Sequence, residues 1–303
     1  MAEEALAYLR PRPRGRYVDA TLGDGGHAER LLESDATIEV LGLDRDPLTI
    51  TGAARRLSGF GPRFRTHLGN FSDLGVALAA AGWDRVDGIL LDLGLSSRQL
   101  DDPARGFGFR ARGPLDMRMS PGDGPSAADL VATLDERRLA EIFWCYGEEP
   151  AARRIARAIV VARAHERITD TTALADLVTR VLHRHGARHP ATRVFQALRI
   201  AVNDELEHLE RFLARALDWL RPGARLVIIA YHSLEDRQVK RAFQVWAATC
   251  TCPPALPRCA CGARARVRIL TRKVVTPRPV EVCANRRARS ARLRAVEVLE
   301  HAS

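Results

Sequence analysis

The chain has 303 residues, of which 46% are hydrophobic, and a formal net charge of +10. A chain of this length and composition can bury a full core, which excludes a disordered protein and suggests about two domains. No apolar run approaches the roughly 20 residues that span a bilayer, and the first residues lack the layout of a secretory signal, so we expect a cytoplasmic protein with no membrane partner.

The first hundred residues alternate strand and helix signals. Apolar runs that end in or near an acid predict strands at residues 17–21, 38–44 and 86–92, and a helix is predicted at 28–34. Strands alternating with helices are typical of a parallel sheet covered on both faces. We therefore predict an α/β fold with a doubly wound, mostly parallel sheet.

Residues 104–216 have a different character. A loop rich in Gly, Arg and Pro leads into segments of helical periodicity, and one long helix is predicted from residue 194 towards 220. Strand character returns at 226–230. The pattern predicts a sheet domain formed by residues 1–103 and 217–303, interrupted by a helical insertion at 104–216.

A glycine turn, Gly23-Asp24-Gly25-Gly26, follows the first strand and opens the first helix of the sheet domain. Together with Ala28, and with Asp44 about 20 residues further on, it satisfies the dinucleotide-binding pattern. A nicotinamide or flavin enzyme is therefore one candidate.

Charge around the turn favours a different ligand. Asp19, Asp44 and Asp92 end the first three predicted strands, and ligands of such sheets lie beyond the carboxyl ends of the strands. A pyrophosphate at the start of the helix would meet Asp19 at the strand end and Asp24 inside the turn, and each like-charge contact at 4 Å would cost roughly 4 kcal/mol. S-adenosylmethionine carries a sulfonium and an ammonium and no phosphate, so the acids favour it as the cofactor.

Six segments carry a family resemblance, in the order YVDATLGDGGH, LGLDRDP, GILLDLGLSSRQLDDPARGFGFRARGPLDMRM, HPATRVFQALRIAVNDELEHL, AYHSLEDRQVKRAF and NRRARSARLR. They run collinearly over nearly the whole chain and together resemble the bacterial 16S ribosomal RNA cytosine-N4 methyltransferase family. The resemblance implies a class I methyltransferase fold with an inserted helical domain and S-adenosylmethionine as the methyl donor. The implied substrate is cytosine 1402 in the decoding region of 16S rRNA, which we expect to be methylated in the assembled small ribosomal subunit.

The resemblance also implies a set of cofactor contacts, namely Gly25, Gly26, His27, Asp44, Phe71, Asp92 and Gln99. Phe71 is expected to stack on the adenine, with a place in the core as the alternative. The sequence departs from the family in two places. The family begins with a segment containing His-x-Pro-Val that does not precede MAEEALAYL here, and Arg286 stands where the family commonly has proline.

Asp92 and His232 are the candidate catalytic residues. Many amino-methylating enzymes place an acid, two prolines and an aromatic residue after the fourth strand, and only the acid is kept in the sequence Asp92-Leu93-Gly94-Leu95. We expect Asp92 to orient the target amine, with cofactor binding alone as the alternative. His232 could assist loss of the amine proton, and Ser233 is predicted to begin a helix as a capping residue.

Arginines accompany the aromatic residues Phe107 and Phe109 in the loop that opens the insertion. Arginine for phosphates and aromatic rings for unstacked bases are the elements of single-strand RNA recognition, and the loop glycines suggest a lid that orders on substrate. The predicted RNA-binding residues are Arg105, Arg110, Arg112 and Arg118, extended on a later helix by Arg153 and Arg157. An inter-domain linker with incidental charge is the alternative.

The C-terminal part of the chain holds both a cysteine cluster and the excess positive charge. Cys250, Cys252, Cys259 and Cys261 could hold a structural zinc ion, with reduced thiols or disulfides as alternatives. Between Arg258 and Arg294, twelve Arg or Lys residues and one acid, Glu281, give +11, so the rest of the chain sums to about −1. This charge favours a nucleic-acid partner, with a solvated basic tail as the alternative.

Three other functions stay open at this point. A DNA amino-methyltransferase is disfavoured by the missing Pro-Pro-aromatic sequence, and a hydride-transfer enzyme rests on the glycine pattern alone. A non-catalytic ribosome-assembly or nucleic-acid-binding protein would use only the basic segment and a zinc cluster. The oligomeric state is not fixed by the sequence, and a homodimer is one alternative.

Overall fold

The structure, a computed structural model, describes residues 1–183, 189–250, 252 and 261–300. The chain divides into two compact units. The first unit consists of Met1–Gly94 and Glu207–Ser303, and the second of Leu95–Leu206. The second unit begins nine residues before the predicted insertion, at 95 instead of 104, and ends ten residues earlier, at 206 instead of 216.

The first unit is built on a seven-stranded sheet within the described residues. The strands are β1 Arg16–Asp19, β2 Glu39–Asp44, β3 Phe64–Leu68, β4 Val86–Asp92, β5 Leu220–Ala230, β6 Val267–Ile269 and β7 Arg292–Val298. They lie in the order β3-β2-β1-β4-β5-β7-β6; the first five are parallel, and β7 runs antiparallel to both of its neighbours. The predicted α/β class with a doubly wound, mostly parallel sheet is confirmed, and this strand order is that of the class I methyltransferase fold.

Helices connect and cover these strands. The α-helices of the first unit are α1 Ala2–Leu9, α2 Gly26–Ser34, α3 Pro47–Arg56, α4 Leu74–Ala80, α12 Ser233–Trp246 and α13 Pro279–Ala284. Short 3-10 helices of this unit lie at Ser58–Arg63, Phe71–Asp73, Ala216–Trp219 and Arg286–Ser290, and one more, at Pro103–Arg105, belongs to the second unit. This unit has two hydrophobic cores, and the central strand β4 contributes to both. Its side chains are fully buried, with Ile89 and Leu91 in one core and Leu90 in the other.

The second unit is helical, with its own hydrophobic core. Its α-helices are α5 Ser97–Asp101, α6 Ala127–Thr133, α7 Glu136–Cys145, α8 Ala152–Arg163, α9 Thr171–Leu182 and α10 Thr192–Asn203, and α11 Glu205–Arg215 continues into the first unit. None of the helices in the described part of the chain is both long and apolar enough to cross a membrane.

The prediction of a single long helix from residue 194 towards 220 is wrong. The chain leaves helical geometry at Asp204, which adopts a left-handed conformation with φ 48°. The preceding Asn203 is buried, and its side chain accepts a hydrogen bond from the Met119 N–H at 2.8 Å and donates one to the Met117 carbonyl at 2.7 Å. These bonds attach the end of α10 to the loop before α6, and the helix stops there.

Candidate functional site

Three acids meet at one edge of the sheet. Asp19, Asp44 and Asp92 are the last residues of β1, β2 and β4, and β1 lies between the other two strands. Parallel strands bring their carboxyl ends to the same edge. The predicted gathering of the acidic strand ends is therefore confirmed, with Asp19 at its centre.

Asp44 is held by backbone donors. Its carboxylate accepts hydrogen bonds from the Gly23 N–H at 3.0 Å and the Asp46 N–H at 2.9 Å. Burial raises the pKa of Asp44 above its ordinary value, although these two hydrogen bonds act in the opposite direction. The carboxylate is thus fixed between the glycine turn and the start of α3.

Asp92 is held by side chains from two other elements. The Tyr231 hydroxyl donates a hydrogen bond to Asp92 Oδ1 at 3.0 Å, and His27 Nε2 lies 3.4 Å from Oδ2. Burial and the Asp92 charge raise the pKa of Tyr231, so its hydroxyl keeps its proton. Burial lowers the pKa of His27, but the carboxylates of Asp92 and Asp19 more than reverse this effect and the net pKa is raised. The Asp92 N–H also donates to Thr21 Oγ1 at 2.6 Å.

Asp19 is the most buried acid of the group. Its side chain is fully buried, and among the described residues its oxygens accept no hydrogen bond of good geometry, although the Thr21 N–H lies near. Burial raises the pKa of Asp19 to about 6, with His27 lowering it and Asp92 and Asp44 raising it further. A buried carboxyl with this little compensation favours a positively charged group beside it.

The glycine turn has two positions with different requirements. Gly25 has φ 80°, and a Cβ there would lie 2.9 Å from Leu57 Cδ1, so only glycine fits. A Cβ at Gly26 would meet no atom within 4 Å. Gly26 begins α2, where backbone N–H groups are exposed, and the space in front of it is open to a ligand.

Phe71 and Gln99 have structural contacts that the sequence did not reveal. The Phe71 ring packs edge-on against Phe212, with ring centroids 5.9 Å apart, and against His208 at 6.4 Å. Gln99 is buried in the second unit, and its Oε1 accepts the Ser96 N–H at 3.1 Å in a capping box that begins α5. The cofactor contacts predicted for both residues stay predictions.

His232 begins α12. Its Nδ1 accepts the Glu235 N–H at 3.4 Å, and Glu235 in turn accepts the backbone N–H groups of Tyr231 at 2.9 Å and His232 at 3.3 Å. The prediction that Ser233 caps this helix is therefore wrong by one residue. This capping box also fixes the backbone of Tyr231, whose side chain holds Asp92.

Tyr231 and Thr21 both contact Asp92, and neither was predicted from the sequence. Tyr231 directly follows β5, which pairs with β4 in a register that places Asp92 opposite Ile229. A residue that follows the neighbouring strand in a parallel pair lies near the same site. This rule could have identified Tyr231 from the sequence. Its use requires knowing that β4 pairs with β5, and these strands are more than 120 residues apart in the sequence, which does not show the pairing.

The predicted RNA-binding arginines separate into two groups. Arg105 donates to the carbonyls of Arg118 and Met119 at 3.1 and 2.8 Å, and Arg118 forms a forked ion pair with Asp116 at 2.6 Å. These two hold the loop together. The other four, Arg110, Arg112, Arg153 and Arg157, are exposed, and of these Arg112 lies 3.3 Å from Asp170.

One expectation for this loop is wrong, because Phe107 is buried in the core of the second unit and its ring is not open for a base. Phe109 is half-buried and packs against the rings of His189 and Phe195, with centroids 4.6 and 4.8 Å apart. Two of the loop glycines serve close packing of the backbone, and the lid stays a prediction. A Cβ at Gly106 would lie 2.2 Å from the Pro114 carbonyl oxygen, and one at Gly113 would lie 1.9 Å from that of Pro103.

Part of the C-terminal positive charge is paired. Arg268 contacts Glu297 at 2.7 Å, and Arg294 forms a forked pair with Asp236 at 2.6 Å. Cys250, Cys252 and Cys261 come together between α12 and β6, whereas Cys259 lies outside the described residues.

Comparison with known proteins places this geometry in context. The profile of a family described as the MraW methylase family matches residues 1–299. A protein of Thermomicrobium roseum named ribosomal RNA small subunit methyltransferase H is 53% identical over 299 residues, which cover 98% of this chain and 92% of that protein. A protein of the same name from Geobacter sulfurreducens is 54% identical, with 99% and 97% covered.

Proposed function

The chain belongs to the MraW methylase family, and on that premise we propose that it transfers a methyl group from S-adenosylmethionine to the N4 amino group of a cytosine in the decoding region of 16S rRNA. Cytosine 1402 is the base that the sequence resemblance implies. The observation that carries the proposal is the carboxylate of Asp92, held by Tyr231 and His27 at the acidic end of the sheet.

The acidic edge fits a cationic cofactor. The buried Asp19 carboxyl is only partly compensated by His27, Asp44 is fixed by backbone N–H groups, and the space at Gly26 is open. A sulfonium and an ammonium would be attracted by these acids, whereas a pyrophosphate would be repelled by them. Asp44, at the end of β2, lies at the position from which an acid in this type of sheet accepts a ribose hydroxyl.

The residues around Asp92 can align the reacting amine. When bound, S-adenosylmethionine supplies a methyl group activated by its sulfonium. Cytosine N4 is a poor nucleophile because its lone pair is delocalised into the ring. We assign Asp92 to accept a hydrogen bond from the amino group and turn the lone pair towards the methyl group, while Tyr231 and His27 hold the carboxylate in place. A proton-accepting role for His232 stays a prediction; its observed contacts support the turn that carries Tyr231.

Both named relatives act, by their names, on ribosomal RNA of the small subunit, which supports an RNA substrate for this chain. Four exposed arginines of the second unit are available for phosphates, namely Arg110, Arg112, Arg153 and Arg157. We infer that the assembled small subunit is the substrate, because the target base lies in a folded particle.

The donor and the substrate class can be tested together. Titration calorimetry should show binding of S-adenosylmethionine and no binding of a nicotinamide dinucleotide, and Asp44→Asn should weaken the former. Labelled methyl should pass to unmethylated small subunits and not to DNA. Cofactor binding without transfer to any nucleic acid would refute the enzymatic proposal in favour of a binding protein, and preference for the dinucleotide would refute the choice of donor.

A further inference from the structure

Three cysteines meet where the chain leaves α12 and approaches β6. Cys250 and Cys252 follow the helix end at Trp246, and Cys261 precedes β6, which begins at Val267. Their sulfur atoms all lie within 4.8 Å of one another, and Cys250 Sγ is 3.9 Å from Cys261 Sγ. The sequence carries them on separate arms of the connection, so the fold has brought the thiols together.

The sulfur spacing matches a metal site and not a disulfide. Two thiolates bound to one tetrahedral zinc ion at Zn–S distances of about 2.3 Å have their sulfurs about 3.8 Å apart. A disulfide requires about 2.05 Å. The 3.9 Å between the sulfurs of Cys250 and Cys261, which is the length of a thiol–thiol hydrogen bond, is therefore also short enough for both sulfurs to bind one zinc ion.

The surroundings support thiolate ligands. The Cys252 N–H donates a hydrogen bond to Cys250 Sγ at 3.4 Å, a contact that favours negative charge on the sulfur. A zinc ion with three or four thiolates has a net charge of about −1 or −2. The segment from Arg258 to Arg294 has a sequence charge of +11, so its charge is complementary to such a centre.

We propose that Cys250, Cys252 and Cys261 bind a structural zinc ion that fastens the connection between α12 and β6. The ends of this connection are already joined, because the Arg266 N–H donates to the Trp246 carbonyl at 2.7 Å. A zinc ion bound by these thiols joins the two sides of the connection a second time, at Cys250 and Cys252 on the α12 side and at Cys261 on the β6 side. The proposal does not rest on the proposed methyl transfer.

The test begins with the full chain purified without chelator. Elemental mass spectrometry should find about one zinc ion per chain, because the three thiols form one ligand cluster. Cys250→Ser and Cys261→Ser should each reduce the zinc content at least about fivefold. Cys283→Ser is the matched control, because Cys283 is exposed on α13 and stands outside the cluster, and it should keep the full zinc content.

A spectroscopic measurement guards against variants that fail to fold. Replacement of the metal in the wild-type chain by Co²⁺ should give the intense absorption of a tetrahedral thiolate site, and added zinc should abolish it. Less than about one tenth of a zinc ion per chain after incubation with zinc, with no cobalt spectrum, would overturn the proposal. A Cys250–Cys261 disulfide found by peptide mass spectrometry, or iron with inorganic sulfide, would also overturn it.

Discussion

Replacing Asp19 by asparagine should stabilise the protein in the absence of its cofactor. Asp19 is fully buried, and burial raises its pKa from 3.8 to about 6. The folded state therefore binds this proton more tightly than the unfolded state. Below pH 3.8 the buried carboxyl does not lower the free energy of unfolding. The loss in this free energy grows as the pH rises from 3.8 to about 6 and is constant above that pH.

The size of this effect follows from the two pKa values. A difference between 3.8 and about 6 corresponds to a loss of at most about 3 kcal/mol in the free energy of unfolding above pH 6. About 1 kcal/mol of this loss falls between pH 5 and pH 7.5, because part of it has already occurred by pH 5. The substitution Asp19→Asn keeps the shape of the side chain and removes its charge.

Urea unfolding at pH 5 and pH 7.5 measures the prediction. The gain in unfolding free energy of Asp19→Asn over wild type should be larger at pH 7.5 than at pH 5 by about 1 kcal/mol. Any packing cost of the substitution is the same at both pH values and cancels in this difference. Asp84→Asn, at an exposed position, should show no such difference. An equal gain or loss at both pH values would refute the reasoning that Asp19 titrates near pH 6 in the folded protein.

Three further predictions concern the turn, the Asp92 support and the RNA surface. Gly26→Ala should leave the free energy of unfolding within about 0.5 kcal/mol of wild type and weaken S-adenosylmethionine binding about tenfold. Gly25→Ala should lower the free energy of unfolding by about 1–2 kcal/mol because of its positive φ alone. If calorimetry finds unchanged cofactor binding by Gly26→Ala, the open space at Gly26 is not where the cofactor binds. Tyr231→Phe should lower kcat roughly tenfold with little change in KM for the cofactor, because it removes a support of Asp92; an unchanged kcat in single-turnover assays contradicts this role. Arg110→Ala should reduce the slope of the logarithm of the RNA-binding constant against the logarithm of the salt concentration by about 1, without changing Tm. Arg118→Ala should lower Tm, because it breaks the forked ion pair with Asp116. A salt slope of Arg110→Ala equal to that of wild type would show that Arg110 does not contact the RNA.

The sequence predicted the parts of the site that depend on local pattern. Asp44 and Asp92 each end an apolar run, and Gly25 stands in a turn between a strand and a helix, so their places followed from periodicity and the rule for parallel sheets. Tyr231 depends on the pairing of β4 with β5, which are separated by the whole second unit. Phe107 has the same polar and glycine-rich neighbours as an exposed loop residue would have, and only the assembled helical core shows that it is buried.

Three of the seven strands in the described residues were not predicted from the sequence, and two of these, β3 and β7, lack a continuous apolar run. β3 lies at an edge of the sheet, and its five residues, FRTHL, are mostly polar and only partly buried. β7 alternates arginines with apolar residues, and two of those arginines are satisfied by Asp236 on α12. Their charge is compatible with a strand only because a distant acid compensates it, which local sequence does not reveal.

Identification of the methylated atom tests the central claim most directly. Small ribosomal subunits lacking the modification would be incubated with the chain and S-adenosylmethionine labelled in the methyl group, and the RNA would then be digested to nucleosides and separated. The account predicts label in N4-methylcytidine from the decoding region, lost in Asp92→Asn and retained in Asp84→Asn. Label in a ring carbon of cytosine or in another base, or N4-methylcytidine formed equally well by Asp92→Asn, would contradict it.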